Sequence, residues 1–293
     1  MEIRTMKQSD SDAALKIWQD IFEESDSFVQ WLFTNRFYPE YSSCVDDQGE
    51  IVSVIHGMPL PLQFGDKLYK GAIIGGVATL PAYRGLGLMK KLMVYETQLL
   101  KELGIQLITH KPVNPAVYYS CDQYLCTKSG DFIYEKKGKC VPALRKFNLD
   151  AALTAYKHFA SRYNGIVWRD ETLMRLKVDD YLSDHIQSYM LESGAYCFVD
   201  IGKDGVAVCQ EFAYFQETEV QQLLESIPAR TITGRLPADY ASTQIFKEWH
   251  IHKHAVLYPI DPEITGDMPS DLSPGRQMEL LCEELNCFIW ETY

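Results

Sequence analysis

Residues 2–6, with apolar Ile3 and Met6 among polar neighbours, predict a short opening strand. The polar run Ser9-Asp10-Ser11-Asp12 then supplies capping residues for a helix whose apolar side is Ala14, Ile17, Trp18, Ile21 and Phe22. A second short helix carries Phe28, Trp31 and Leu32. Apolar runs at 41–45, 51–62 and 68–79, separated by turns at Asp46-Asp47-Gln48-Gly49 and Gly65-Asp66, predict an antiparallel meander. Past Pro81 the period lengthens: Leu88, Leu92, Tyr95, Leu99 and Leu103 mark one face of a long helix that Gly104 can end in a left-handed cap. Residues 106–109 predict a fifth strand, 114–121 one or two helical turns despite Pro115, and 132–135 another strand after the Gly130-Asp131 turn.

The segment 136–150 contains Gly138, Pro142 and five basic residues and is the expected inter-domain connection. Beyond it the pattern predicts a helix at 171–177, strands at 195–200 and 205–212 around the turn Gly202-Lys203-Asp204-Gly205, and a helix at 218–226. A strand near 230–234, a helix near 240–247 and a strand at 255–258 follow. The predicted fold class is α+β, with an α/β-type mixed sheet, in two consecutive domains at 1–140 and 150–293. The second echoes the element order of the first.

Composition fits this layout: 293 residues, 46% hydrophobic and 23% charged, are two globular domains' worth of chain. No window approaches the roughly 18 consecutive apolar residues of a membrane span, and the start lacks a signal-like apolar stretch, so the expected location is cytoplasmic. None of the eight cysteines (Cys44, Cys121, Cys126, Cys140, Cys197, Cys209, Cys282, Cys287) is spaced as Cys-x-x-Cys, and they read as small core residues in a reducing compartment. A net charge of −12 argues against nucleic acid as a partner. Its distribution says more: residues 1–50 hold 4 basic and 11 acidic residues, 51–150 hold 13 and 7, and 151–293 hold 11 and 22. Solvated faces that differ by chance would explain this, and so would an anionic ligand in the middle with a cationic one nearby.

The chemistry concentrates at Gly76-Val77-Ala78-Thr79-Leu80-Pro81-Ala82-Tyr83-Arg84-Gly85-Leu86-Gly87-Leu88-Met89, where an apolar strand passes through a proline into a glycine turn and a helix. Such a turn presents free backbone N–H groups at the positive end of a helix and suits a phosphate. Gly85 and Gly87 let the backbone approach a ligand closely. Lys90 and Lys91 sit in the first helical turn, where the dipole disfavours cations and an anion would relieve the conflict. A Walker loop is excluded because Leu88-Met89 follow Gly87. A dinucleotide fingerprint is excluded because Lys90 stands where a third Gly belongs and residues 104–107 supply no acid.

The run Val77-x-Thr79-x-Pro81-x-Tyr83-Arg84-Gly85-x-Gly87-Leu88 resembles the acyl-CoA-binding motif of the GNAT acetyltransferases, with Met89 in place of the final small residue. Its Gly-Leu-Met ending is similar to that of tandem GNAT proteins related to the enhanced-intracellular-survival acetyltransferases, with their sterol-carrier-like third domain expected to be missing. Downstream, the segment from Asn114 through Tyr119 to Tyr124 is similar to the family's Asn…Tyr-x-x-x-Gly-Phe, with Gln123 replacing the Gly. The resemblance implies an N-terminal GNAT fold followed by a degenerate GNAT-like domain. It implies an acyltransferase with acetyl-CoA as co-substrate and no metal. The cofactor-binding residues it implies are Val77, Ala78, Thr79, Arg84, Gly85, Leu86, Gly87, Leu88, Met89 and Asn114, and the implied catalytic residue is Tyr119.

In such proteins the strand carrying 77–79 diverges from the next, acyl-CoA lies in the opening, and an amine attacks the thioester directly. The tetrahedral oxyanion needs an N–H donor such as that of Val77, and Tyr119 suits protonation of the leaving sulfur. His56 and His110 are candidate bases, although a strand histidine is more often structural. The terminal carboxylate of relatives is not carried over to Tyr293, and a water chain to solvent is another route for the proton. His250, His252 and His254 would share a face of an extended segment in metal-ligand spacing, yet no acidic or cysteine cluster accompanies them. The expected partner is a small cationic amine drawn by the acidic flanks, with neither nucleic acid nor a membrane; the oligomeric state, a homo-oligomer included, stays open. The alternative is a non-catalytic acyl-CoA sensor or scaffold.

Overall fold

The computed structural model describes residues 1–22, 24–136, 138, 145–266 and 268–291. In chain order the first elements are β1 (Glu2–Thr5), α1 (Ser11–Ile21), α2 (Asp26–Asn35), β2 (Ser43–Asp47), β3 (Glu50–Phe64), β4 (Lys67–Thr79), α3 (Leu88–Glu102) and β5 (Leu107–His110). There follow β6 (Lys128–Glu135), α4 (Leu149–Ala160), α5 (Glu171–Ser183), β7 (Gln187–Met190), β8 (Tyr196–Ile201), β9 (Val206–Ala213), α6 (Thr218–Ser226), β10 (Thr231–Pro237) and β11 (Glu248–Lys253). The last are β12 (Val256–Pro259) and α7 (Pro274–Glu284).

These elements form two mixed six-stranded sheets in two compact units, an α+β architecture as the sequence predicts. The units are interleaved, where two consecutive blocks, 1–140 and 150–293, are expected. The first comprises Met1–Thr127, Ala255–Leu285 and Glu291–Tyr293, and the second Lys128–His254 and Asn286–Trp290. Two strands account for the difference. β6, expected to end the first domain, pairs with β10 and β11 in the second sheet, while β12 leaves the second half to pair antiparallel with β5. The chain therefore passes between units near residues 127 and 254, and again near 285 and 290, not within 136–150; residues 137 and 139–144 of that expected connection, Cys140 among them, lie outside the described residues.

In the first unit the sheet order is β1-β2-β3-β4-β5-β12, with the expected meander at its centre. Leu88, Leu92, Met93 and Leu100 on the inner face of α3 pack into a core with Val45, Val52, Ile55 and Ile74 from the sheet. α1 buries Ala14, Ile17 and Trp18. Asp10, expected as a cap, instead takes Arg4 in a two-point ion pair and accepts from the Lys7 N–H.

The second sheet has the order β11-β6-β10-β9-β8-β7. α4 forms on a regular apolar period, with Ala152, Ala155, Tyr156 and Phe159 buried and Asn148 capping the Ala151 N–H. The helix expected near 240–247 is only a 3₁₀ turn, Thr243–Ile245. The Glu217 carboxylate accepts the N–H groups of Ala241 and Ser242, and the chain then enters β11. Among the described residues no helix is long and apolar enough to cross a membrane, and seven cysteines are free thiols.

Candidate active site

The centre of β4 departs from regular pairing. Val54 lies opposite Ala78 and His56 opposite Gly75, so Gly76 and Val77 together face Ile55 in a β-bulge. Gly76 adopts φ +56°, and a Cβ there would sit 2.2 Å from the Trp18 ring. Only glycine meets both demands: the left-handed backbone and an indole against the main chain. Trp18 is itself fixed from behind, its Nε1–H donating to His56 Nδ1 at 2.7 Å.

On its other edge β4 pairs in parallel with β5 over only three residues, Gly71 with Leu107, Ala72 with Ile108 and Ile73 with Thr109. From Ile74 onward β4 continues six residues without β5, and its main chain on that side is open to a partner. A cavity of about 440 Å³ occupies this place. Its floor is the bulge from Ile74 to Val77, Trp18 and Phe22 form one wall, and the chain after β5 (His110 to Asn114, then Val117 and Tyr118) forms the other; Met89 from α3 closes one side, and Glu24 and Lys111 also line it.

The glycine turn leads from the end of β4 into α3. Gly85 and Gly87 have φ of +82° and +70°, a left-handed geometry for which an added Cβ would meet no neighbour, so backbone strain alone demands glycine. Gly87 is the N-cap and its side chain cannot bond the first turn of the helix. The leading N–H groups of α3 thus point outward at the positive end of a fifteen-residue helix, beside Lys90 and Lys91. Arg84 folds back, its Nε donating to the Thr79 carbonyl at 3.1 Å, and ties the turn to the strand end.

At the mouth of β5, His110 is buried and its Nε2 lies 2.8 Å from Gln123 Oε1. Burial lowers the pKa of His110 to about 4, so the ring is neutral at pH 7. The Tyr118 ring packs 4.7 Å from it, and burial pushes the Tyr118 phenol up to about 12. Asn114 lines the cavity and caps the next 3₁₀ turn, accepting from the Ala116 N–H. Residues 119–124 are held by Asp122, which adopts φ +60° and accepts from the Gly275 N–H and the Ser273 hydroxyl at the start of α7.

Of the residues expected from the sequence, Val77, Met89 and Asn114 line the cavity. Ala78 and Thr79 end β4 and bond through Ser53, whose hydroxyl reaches the Ala78 carbonyl and the Thr79 hydroxyl. Arg84, Gly85, Leu86, Gly87 and Leu88 form the adjoining turn. Tyr119 is 49% exposed, stacks on Tyr124 with centroids 5.5 Å apart and is outside the cavity lining. His56 is buried against Trp18 with its pKa lowered to about 3, and does not line this cavity. Trp18 and Phe22, legible only as one face of a helix, and Gln123, legible only as a departure from glycine, are the additions. His250, His252 and His254 do not converge: His250 faces Glu248, His252 faces Asp131 and His254 meets Arg235, and among the described residues no group of three metal-type side chains is assembled.

Comparison with known proteins agrees with this geometry. Residues 2–124 match the family model described as an acetyltransferase (GNAT) domain. A search of curated proteins found no match. Among solved structures, the chain is similar to a probable N-acyltransferase of unknown function from Enterococcus faecalis V583 (TM-score 0.70, 14% identity, covering 90% of this chain and 73% of that one). It is similar to Eis1 from Mycobacterium abscessus (TM-score 0.69, 14% identity, covering 90% and 74%). A third likeness is to a GCN5-related N-acetyltransferase from Kribbella flavida (TM-score 0.66, 17% identity, covering 90% and 72%). At these identities the solved structures speak for the fold.

Proposed function

We propose, from the match of residues 2–124 to the acetyltransferase (GNAT) domain model, that the chain transfers an acetyl group from acetyl-CoA to a primary amine of a small cationic acceptor. The observation that carries the reading is the opening of β4 from β5 beside an outward-facing helix N-terminus, with a neutral imidazole in the cavity between them. The tandem arrangement of the enhanced-intracellular-survival type belongs to the same reading, supported by the likeness to Eis1 over both units.

The pyrophosphate of the co-substrate binds the N–H groups at 85–89, and the pantetheine amides pair with the open edge of β4 around Val77 and Thr79, as a missing strand would. The thioester then lies at the bulge, where the Val77 N–H stabilises the tetrahedral oxyanion. The amine gains positive charge as its nitrogen bonds to carbon, and His110, neutral and facing the cavity, takes the proton. The motif resemblance assigns donation to the departing sulfur to Tyr119, which stands outside the cavity lining. Tyr118 is the poorer acid, with its phenol raised to about 12 in the core, and serves as the wall against His110. Acidic residues in the first 50 positions draw in a cationic acceptor.

The test is release of free thiol from acetyl-CoA with polyamines, aminoglycosides and amino-terminal peptides. Turnover on a cationic amine is expected, with Tyr119→Phe lowering kcat by roughly 10²–10⁴ while the acetyl-CoA affinity stays unchanged. Tight binding of acetyl-CoA with no thiol release on any acceptor would return the chain to the sensor class.

A further inference from the structure

We infer that Gln123 is a positioning residue for acetyl transfer: its side-chain oxygen holds the proton of His110 on Nε2 and thereby keeps Nδ1 as the lone pair that receives the amine proton. The inference rests on the proposed acetyltransferase reading and goes beyond it, since the motif resemblance has glycine at this position.

Gln123 Oε1 can only accept, so a separation of 2.8 Å to His110 Nε2 requires that this nitrogen carry hydrogen. A neutral imidazole has one proton, and the other nitrogen is then an acceptor. Both partners are buried, Gln123 being 1% and His110 3% exposed, so water does not compete for the bond. The geometry is braced on two sides. Gln123 donates its own N–H to the Tyr118 carbonyl, which closes the loop, and the Tyr118 ring packs against the imidazole. Asp122, the preceding residue, is pinned to the first residues of α7. Glycine at 123 would leave the imidazole proton free to occupy either nitrogen.

In the reaction the nitrogen–carbon bond forms and the carbon–sulfur bond breaks. The amine proton passes to Nδ1 and on to solvent, and the thiolate takes a proton from Tyr119 that solvent replaces. With the proton on Nδ1 instead, His110 could not receive the amine proton there. The titratable groups around His110 are the Tyr118 phenol, the Cys121 thiol beside it, and Glu24 and Lys111 on the cavity lining.

The experiment is nitrogen NMR of the full chain labelled at histidine, read beside steady-state kinetics. The expected spectrum has His110 protonated at Nε2 and bare at Nδ1. Gln123→Met is expected to mix or reverse the two nitrogens and to lower kcat about tenfold, part of the roughly 10²–10⁴ that a general base contributes, with KM for acetyl-CoA unchanged. Gln123→Glu keeps an acceptor; it should keep the tautomer and move the acid limb of the pH–rate profile upward, because a carboxylate favours the imidazolium. A wild-type His110 carrying its proton on Nδ1, or a Gln123→Met variant with the tautomer and kcat of the wild type, overturns the inference. The spectrum reads the tautomer without turnover, so a correct tautomer in a chain that acetylates nothing would refute the function and leave the Gln123 bond standing.

Discussion

The two units build the same core in sequence order, a three-stranded meander, a helix, and a strand parallel to the last of the three, and then treat its business end in opposite ways. In the first, β4 bulges at Gly76, leaves β5 after three residue pairs and runs into a glycine turn with open N–H groups. In the second, β9 bulges between its partners Phe198 and Val199 and pairs with β10 over four residues, but the turn into α6 contains no glycine. There Glu219 turns back on the N–H groups of Phe215 and Gln216, so the chain's own carboxylate takes up the N–H groups of the turn. Beside the bulge Glu211 is buried among Arg169, Tyr181 and Tyr196, each within hydrogen-bonding distance. The first unit leaves main-chain groups open at its strand edge and glycine turn, whereas in the second a side-chain carboxylate takes up the N–H groups of the corresponding turn.

The largest effect that separates the units is on stability. Removing one partner from a buried ion pair strands the other, so Arg169→Met is expected to cost about 3–5 kcal/mol in denaturant unfolding and to leave acetyl-CoA affinity unaltered. Stability against pH is the next contrast. His56 and His110 have pKa values lowered by burial from 6.5 to about 3 and about 4, so the unfolded chain binds more protons below pH 6.5 and stability falls on acidification. Burial raises Glu96 from 4.5 to about 8, so the folded state holds a proton that the unfolded chain has lost, and stability falls as pH rises towards 8. A maximum near pH 6.5 follows for the first unit, and thermal melts should show Glu96→Gln removing the alkaline fall and steepening the rise between pH 4.5 and 6.5. Glu211 behaves otherwise: burial opposes its ionisation, but Arg169 outweighs this and holds it below its ordinary range, so it stays charged throughout.

Smaller effects test the turn itself. Gly87→Val forces a β-branched residue to φ +70° at a cost of about 1–2 kcal/mol, which should weaken acetyl-CoA binding about tenfold in a titration. Glu219→Gln, in the corresponding turn of the second unit, should cost about 1 kcal/mol and change acetyl-CoA binding not at all.

Local features were legible in the sequence because the residues that make them are adjacent. Gly85 and Gly87 announce a left-handed turn and the 3.6 period announces α3. Sheet membership was not legible, because β12 pairs with β5 across 147 residues, as in the Thr109 hydroxyl bond to the Val256 carbonyl, and its apolar run names no partner. The helix expected near 240–247 fails for the same reason, since Glu217 intercepts its N–H groups. α4 carries local signals of the same kind, in Asn148 and the spacing of Ala152, Ala155 and Phe159. In the site, His110 stood out as a candidate, but its bond to Gln123 depends on a turn that only folding closes.

Isothermal titration of the whole chain with acetyl-CoA addresses the contrast between the units most directly. The expected result is one molecule bound per chain, with that binding weakened by Gly87→Val and indifferent to Glu219→Gln. Two molecules per chain, none, or a single one displaced by the Glu219 substitution would contradict it.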